Sequence, residues 1–359
     1  KRQSTSRSAT IAVPVASFLV ALLLGAVLLL ASGVDPIKTY TAMVRGSFGT
    51  AYAFSETLVK AIPLMLLGLG VSIAFRMRFW NIGAEGQYVW GAIGASGVAL
   101  FLNELLPGWL LLPTVIFTGA IAGALWAGIP AVLKAFLGVD ETLTTLMLNY
   151  VAILFSQYLY YGPWRDPEGY GFPGTAIFPA TAWLPRLFGR AHFGLIFAIM
   201  IAFILWFTFL RTRWGFEIKI IGENQTAARY LGIKIAKNIV LALLISGGIC
   251  GLAGAAEVAG LSRRLQTGLA LGYGYSAIIV AWMAQLRPIP ILFVAILLGA
   301  LIVGGAQVQI VMNLPSSIGL VLQGLLLIPM LAGSLFTEYR LRIIRSEKYR
   351  SQVDTEVSR

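Results

Sequence analysis

The residues of this chain that could do chemistry are few and scattered. Glu85 lies in the run FWNIGAEGQ (Phe79 to Gln87), Asp140 and Glu141 adjoin one another, and Glu257 stands within a long apolar segment. Amides and a phenol join them: Asn81, Gln87, Asn149, Tyr150, Gln157, Gln285, Gln307 and Gln323. Polar side chains at membrane depth are costly and mark either hydrogen bonds between helices or a polar pathway. For Asn81 and Glu85 the sequence also offers a local reading, with Asn81 capping a helix and Glu85 in its first turn favouring the dipole. Bond-making chemistry is not expected. The only histidine, His192, has no partners for a triad or a metal site, and Cys250 alone makes neither a disulfide nor a thiolate site. No GxxxxGK[ST] run is present to cradle ATP phosphates. The expected catalytic set is none, the expected metal set is none, and the chemistry left is recognition and passage of a polar solute.

The elements that carry these residues follow from composition. Of 359 residues, 58% are hydrophobic and 12% charged, with a mean hydropathy of +0.82, which defines an all-α polytopic membrane protein. Apolar stretches of spanning length predict ten helices, near 11 to 32, 58 to 75, 82 to 102, 109 to 131, 142 to 161, 192 to 210, 238 to 259, 271 to 286, 289 to 306 and 315 to 335. The first is too long for a signal-peptide core and is read as an uncleaved span. With both termini inside, 19 Lys and Arg fall on the cytoplasmic side and 8 outside, so the net +12 reports orientation, not nucleic-acid binding. Spans two to five and seven to ten then run in opposite senses, which predicts an inverted repeat. The domains expected are a cytoplasmic N-terminus (1–10), one transmembrane permease domain (11–336) and a basic cytoplasmic tail (337–359).

Two connections stand out. The segment 211–237 carries six Lys or Arg and encloses a short helix from Gln225 to Leu231, capped by Asn224 and stopped by Gly232. So short a helix is marginal alone and is expected to dock outside the bilayer and transmit force to a cytoplasmic motor. The segment 162–191 is rich in Pro, Gly and aromatics, which suits interfacial anchoring, an outer lid or a docking surface. Gly119 with Gly123, and Gly247 with Gly251, form small-xxx-small pairs where helices approach.

FWNIGAEGQ, GVDETLTTLMLNYVA (Gly138 to Ala152), GENQTAARYLGI (Gly222 to Ile233) and GYGYSAIIVA (Gly272 to Ala281) together resemble the membrane permease of bacterial ABC importers of the simple-sugar and nucleoside branch, closest to nucleoside permeases. The resemblance runs in order from about residue 55 to 335. It implies a type II-like, ten-helix body in the bacterial inner membrane that pairs with a homologous second permease, sits on a two-cassette ATPase and receives its small-molecule substrate from an external lipoprotein. No cofactor belongs to the chain itself; ATP and Mg belong to the ATPase. Asn81, Glu85, Gln87, Asn149 and Tyr150 would lie near the translocation pathway, with Trp282 offering an aromatic face. Gly222, Glu223, Asn224, Ala227, Ala228, Arg229 and Gly232 would form the coupling helix. Ser276, Trp282, Met283 and Gln285 depart from the nucleoside pattern, which commonly has an acidic residue at the first and small aliphatic residues at the others. The alternatives are an ion-coupled carrier or channel, and a membrane enzyme acting on lipid-linked sugars with Asp140, Glu141, Asp166 or Glu168 as its acids.

Overall fold

The computed structural model describes residues 7–312 and scattered positions between 321 and 333. The tenth expected span and the basic tail lie essentially outside the described residues. Two compact units are distinguished: residues 1–36 with 320–359, and residues 37–319. The first contains α1 (Arg7–Ala31), an apolar helix of 25 residues. The second holds the rest: α2 (Pro36–Phe48), α3 (Ala51–Arg76), α4 (Ala84–Phe101), α5 (Gly108–Leu137), α6 (Glu141–Tyr161), α7 (Gly194–Arg211), α8 (Arg213–Glu223), α9 (Gln225–Tyr230), α10 (Ile235–Glu257), α11 (Tyr273–Met283) and α12 (Pro288–Val311). A small antiparallel ladder pairs β1 (Arg186–Phe188) with β2 (Ala191–His192). Six helices among the described residues are long and apolar enough to cross a membrane: α3, α5, α6, α7, α10 with its C-terminal extension, and α12.

Helix α3 is the axis of its unit. It is apolar all round and buried along nearly its whole length, as expected for a helix surrounded by others. Helices α7, α10, α11 and α12 pack on it, and α4, α5 and α10 form a second mutual contact. Glycine makes that second contact possible. A Cβ on Gly91 of α4 would overlap the Gly251 carbonyl oxygen of α10, one on Gly254 would overlap that of Tyr88, and one on Gly123 of α5 would meet the Gly247 carbonyl. The small-xxx-small pairs are thus places where backbones touch.

Four elements differ from the sequence expectation, the first being the β1–β2 ladder in a chain read as all-α, since residues 186–188 and 191–192 are extended and pair with each other. Residues 36–48, read as connection, form α2, which Ser47 fastens by donating its hydroxyl to the Ala300 carbonyl of α12 at 2.6 Å. The eighth expected span, 271–286, contains only the 11-residue α11, whose rise of about 16 Å is half a bilayer core. It lies along the Arg76 half of α3, with Gly68 meeting Ala277 and Val280, and the Arg76 guanidinium donating to the Leu286 carbonyl at 2.9 Å. The segment 211–237 holds two helices, not one, because Thr212 caps an additional turn set by accepting from the Gly215 N–H.

Candidate functional site: a polar knot, a short exposed helix and a polar cavity

The loop joining α3 to α4 turns back into the bundle, and its polar groups are met there by side chains from three other helices. Asn81 is fully buried; its amide donates to Gln87 Oε1 at 3.2 Å and Ser246 Oγ at 3.3 Å, and its Oδ1 accepts from Gln87 Nε2 at 3.0 Å. Ser246 in turn donates to the Gly70 carbonyl at 2.8 Å, which ties α10 to α3. Asn81 does not cap α4 as expected. The N-cap is Gly83, which has no side chain to offer, and the Asn81 Oδ1 accepts instead from the Gly83 N–H at 3.1 Å. The free amides of the first turn of α4 are served from α6: Asn149 Oδ1 accepts from the Gly86 N–H at 2.8 Å while its amide donates to the Ile82 carbonyl at 2.8 Å and the Tyr275 hydroxyl oxygen at 3.2 Å. Thr145 accepts from the Ile82 N–H at 3.2 Å.

Glu85 does sit in the first turn of α4, yet its carboxylate serves another helix. Oε1 accepts from the Gly272 N–H at 2.8 Å and Oε2 from the Gly274 N–H in a short bond, so the side chain caps α11. Both groups belong to the start of α11, where unpaired N–H groups and the helix dipole favour an anion. Gly274 is required there, since a Cβ would overlap the Glu85 backbone nitrogen. Asn81, Glu85, Gln87 and Asn149 are therefore brought together in one buried hydrogen-bonded knot. Tyr150 is not part of it: one residue along α6 it turns outward and is 56% exposed. Trp282 also stands apart, half-exposed, with its ring 5.9 Å from Trp80 in a stack beside Phe75.

Three of the four acids considered for an enzyme are engaged elsewhere. Asp140 caps α6 through the Leu143 N–H at 2.9 Å, Glu141 pairs with Lys134 at 2.6 Å, and Asp166 accepts from the Glu168 N–H at 3.0 Å. Among the described residues no group of three or more His, Cys, Asp or Glu could hold a metal ion.

At the Arg76 end of α3, α8 and α9 project. Asn224 accepts from the Thr226 and Ala227 N–H groups at 2.9 and 3.1 Å, and Gly232 takes a φ of +71°. Gly222 is buried against the Arg76 carbonyl, where a Cβ would overlap it, so α8 is seated on the end of α3. Ala228 is wholly buried and faces the chain's own body, Ala227 is half-buried, and Glu223, Asn224 and Arg229 are exposed. Tyr230 and Leu231 are the residues that sequence reasoning passed over: they are 88% and 62% exposed beside Arg229. Their signal was two apolar side chains closing a helix rich in polar ones.

At the other end, 162–191 is stitched to the loop after α10. Thr175 donates to the Leu265 carbonyl at 2.9 Å, Phe178 to that of Arg263 at 2.8 Å and Leu184 to that of Ala259 at 3.0 Å. The Arg263 guanidinium lies 3.7 Å over Trp183. His192 is fully buried between Gly194 and Gly260; its Nδ1 accepts from the Gly194 N–H, and burial lowers its pKa to about 4, so it is neutral. Beside the loop after α10, Lys60, Arg190, Glu257, Arg264, Gln266 and Thr267 surround a polar cavity of about 360 Å³.

Residues 53–331 match the family described as branched-chain amino acid transport system / permease component. The chain is 34% identical to the glucose ABC transporter permease protein TsgB13 of Haloferax volcanii, over 92% of this chain and 89% of that protein. It is also 34% identical to the guanosine ABC transporter permease protein NupP of Bacillus subtilis, over 85% of this chain and 88% of that one. A second guanosine permease protein of Bacillus subtilis, NupQ, is 30% identical over 69% of this chain and 78% of its own length.

Proposed function

This chain belongs to that permease family, as the multi-pass membrane subunit of an ABC transporter whose ATP is hydrolysed on a separate ATPase, and we propose that it carries a nucleoside or a related sugar-containing solute inward by alternating access. The observation that carries this reading is agreement along nearly the whole chain with relatives named for guanosine and for glucose. We propose further that the chain follows a type II-like plan of ten spans with both termini in the cytoplasm and an inverted repeat. It pairs with a homologous second permease, a reading supported by the likeness to two guanosine permease proteins of one organism. A two-cassette ATPase and an external lipoprotein complete the assembly.

Within it, the exposed end of α9, with Arg229, Tyr230 and Leu231, is the surface offered to the ATPase, while Gly222 and Ala228 seat the helix on its own body. Asn81, Glu85, Gln87 and Asn149 act beside the pathway as struts, because every polar atom of the knot named above already has a protein partner. They hold the half-length α11 in register with α4. A discontinuous helix whose start lies inside the bundle is a device transporters use near their solute route. Tyr150 and Trp282, with exposed aromatic faces, are the members of the set free to meet a solute or the second permease.

The test is stimulation of ATP hydrolysis in lipid nanodiscs by binding protein loaded with guanosine, inosine or glucose, using the complex purified through this chain. Stimulation by one of these supports the reading. Recovery of the chain without any ATPase subunit would remove it.

A further inference from the structure

The polar cavity beside the loop after α10 is lined by two ionisable groups that, among the described residues, make no hydrogen bond or ion pair. Arg190 is paired with Glu56 at 3.2 Å, and Arg264 donates to Gln266 at 2.6 Å while lying over Phe172. By contrast, Glu257 is only 8% exposed, yet among the described residues its Oε2 has no hydrogen-bond partner. Lys60, on α3, lines the same cavity, and its ammonium lies 6.0 Å from the Tyr273 ring. A buried carboxylate oxygen without a partner is costly, and such an atom in a native fold calls for a ligand or water.

The wall around these groups is rigid. Helix α10 ends in a π-helical turn, Val258–Ser262, a feature frequent at functional sites. Gly260 of that turn is packed on the buried His192 ring, and the Ala259 carbonyl is bonded by Leu184. The cavity is thus held in shape before any ligand arrives, and its volume is in the range of small-ligand sites.

We infer that this cavity is a solute subsite that reads vicinal hydroxyls, with Glu257 accepting from one hydroxyl and Lys60 donating to its neighbour. A lone anionic group is a poor fit, because it would be placed beside a buried carboxylate. A diol supplies a donor and an acceptor on adjacent carbons and matches the pair. Ribose and hexose share that feature, which is what cargoes as different as guanosine and glucose have in common. Thr267 and Gln266 add donors and acceptors around the rest of the ring. The inference rests on the reading of this chain as a nucleoside or sugar permease.

The experiment uses the whole complex in proteoliposomes, with binding protein saturated by each solute so that its own preference drops out. Initial uptake of inosine is compared with that of 2′,3′-dideoxyinosine, and glucose with 2,4-dideoxyglucose, in which no two hydroxyls are vicinal. Wild type should favour the hydroxyl-complete member of the pair it carries. Glu257→Gln and Lys60→Gln should each lower that ratio about tenfold, the worth of one charge-assisted hydrogen bond. Thr267→Val, on the loop, should lower it by a smaller factor and carries the test if the other variants do not assemble. Equal loss for both members of a pair, or an unchanged ratio, assigns Lys60 and Glu257 to architecture and overturns the subsite while leaving the permease reading intact. Failure of wild type to carry any of these solutes overturns the cargo assignment and the subsite with it.

Discussion

Glu85 and Asn149 show how single side chains replace what a helix end lacks. Helix α4 begins at a glycine N-cap, so the first-turn N–H of Gly86 is satisfied by Asn149 on α6; α11 begins at Gly272 with φ +81°, so its N–H groups turn to Glu85. Removing the carboxylate leaves the buried Gly274 N–H unpaired, at about 1–3 kcal/mol, and the part-buried Gly272 N–H with it. Glu85→Ala should therefore lower the thermal inactivation temperature of the purified complex markedly, and Glu85→Gln, which keeps one acceptor, should lower it less; Trp fluorescence during heating measures both. His192 gives a pH signature. Its pKa falls from an unfolded value near 6.5 to about 4 in the fold, so the unfolded chain binds the extra proton between those values. Stability should be full above pH 6.5 and decline by about 3 kcal/mol on acidification toward pH 4. His192→Asn should flatten that part of the profile, as read from inactivation rates across the range.

At the scale of elements, α9 and the glycine-lined helix contacts make opposite demands. Helix α9 has six residues, buries Ala228 and exposes Tyr230 almost completely, so its outer side is available for a partner. Tyr230→Ala should weaken ATPase association by about 2 kcal/mol, the usual cost of an interface aromatic, without disturbing insertion of the chain. Ala228→Trp should instead dislodge the helix from its own body; pull-down of the ATPase separates the outcomes, since a wild-type level of association in the Tyr230 variant would deny the docking role. The contact of α4 with α10 has no such freedom. Gly254→Leu must push the helices apart at Tyr88, a cost of about 3 kcal/mol or more. Gly128→Ala, with only the end of Leu244 at 3.3 Å, should be tolerated, and yields of folded protein from the two variants compare the cases.

For the molecule as a whole, α7 separates the two ends to which function is proposed, with 162–191 before it and α8 and α9 after it. Its 18 residues rise about 27 Å, close to the apolar thickness of a bilayer. The proposed orientation puts the cavity outside and α9 inside. Since Cys250 is buried and the chain has no other thiol, single cysteines report sidedness cleanly. Tyr170→Cys should react with an impermeant maleimide on intact cells, and Tyr230→Cys only after permeabilisation. The reverse pattern would invert the topology and remove both the coupling and the cavity assignments.

What the sequence by itself determined was everything written in short range. Apolar run length defined a membrane-embedded, mostly helical chain; Asn224 and Gly232 bounded α9 because capping and a left-handed stop act within one turn; paired glycines marked close helix approaches, which the structure places between α5 and α10. The four motifs carried the family. Only the tertiary structure decided where polar groups are satisfied, because those bonds join residues far apart in the chain: Asn149 to Gly86, Asn81 to Ser246, Glu85 to Gly272. No local periodicity encodes such a pairing, and so Asn81 read as a cap that it is not. The same reason hid the outward turn of Tyr150, the inward turn of Ala228, and the half-length of α11, whose apolar composition resembles a span while its end is fixed by a carboxylate on another helix.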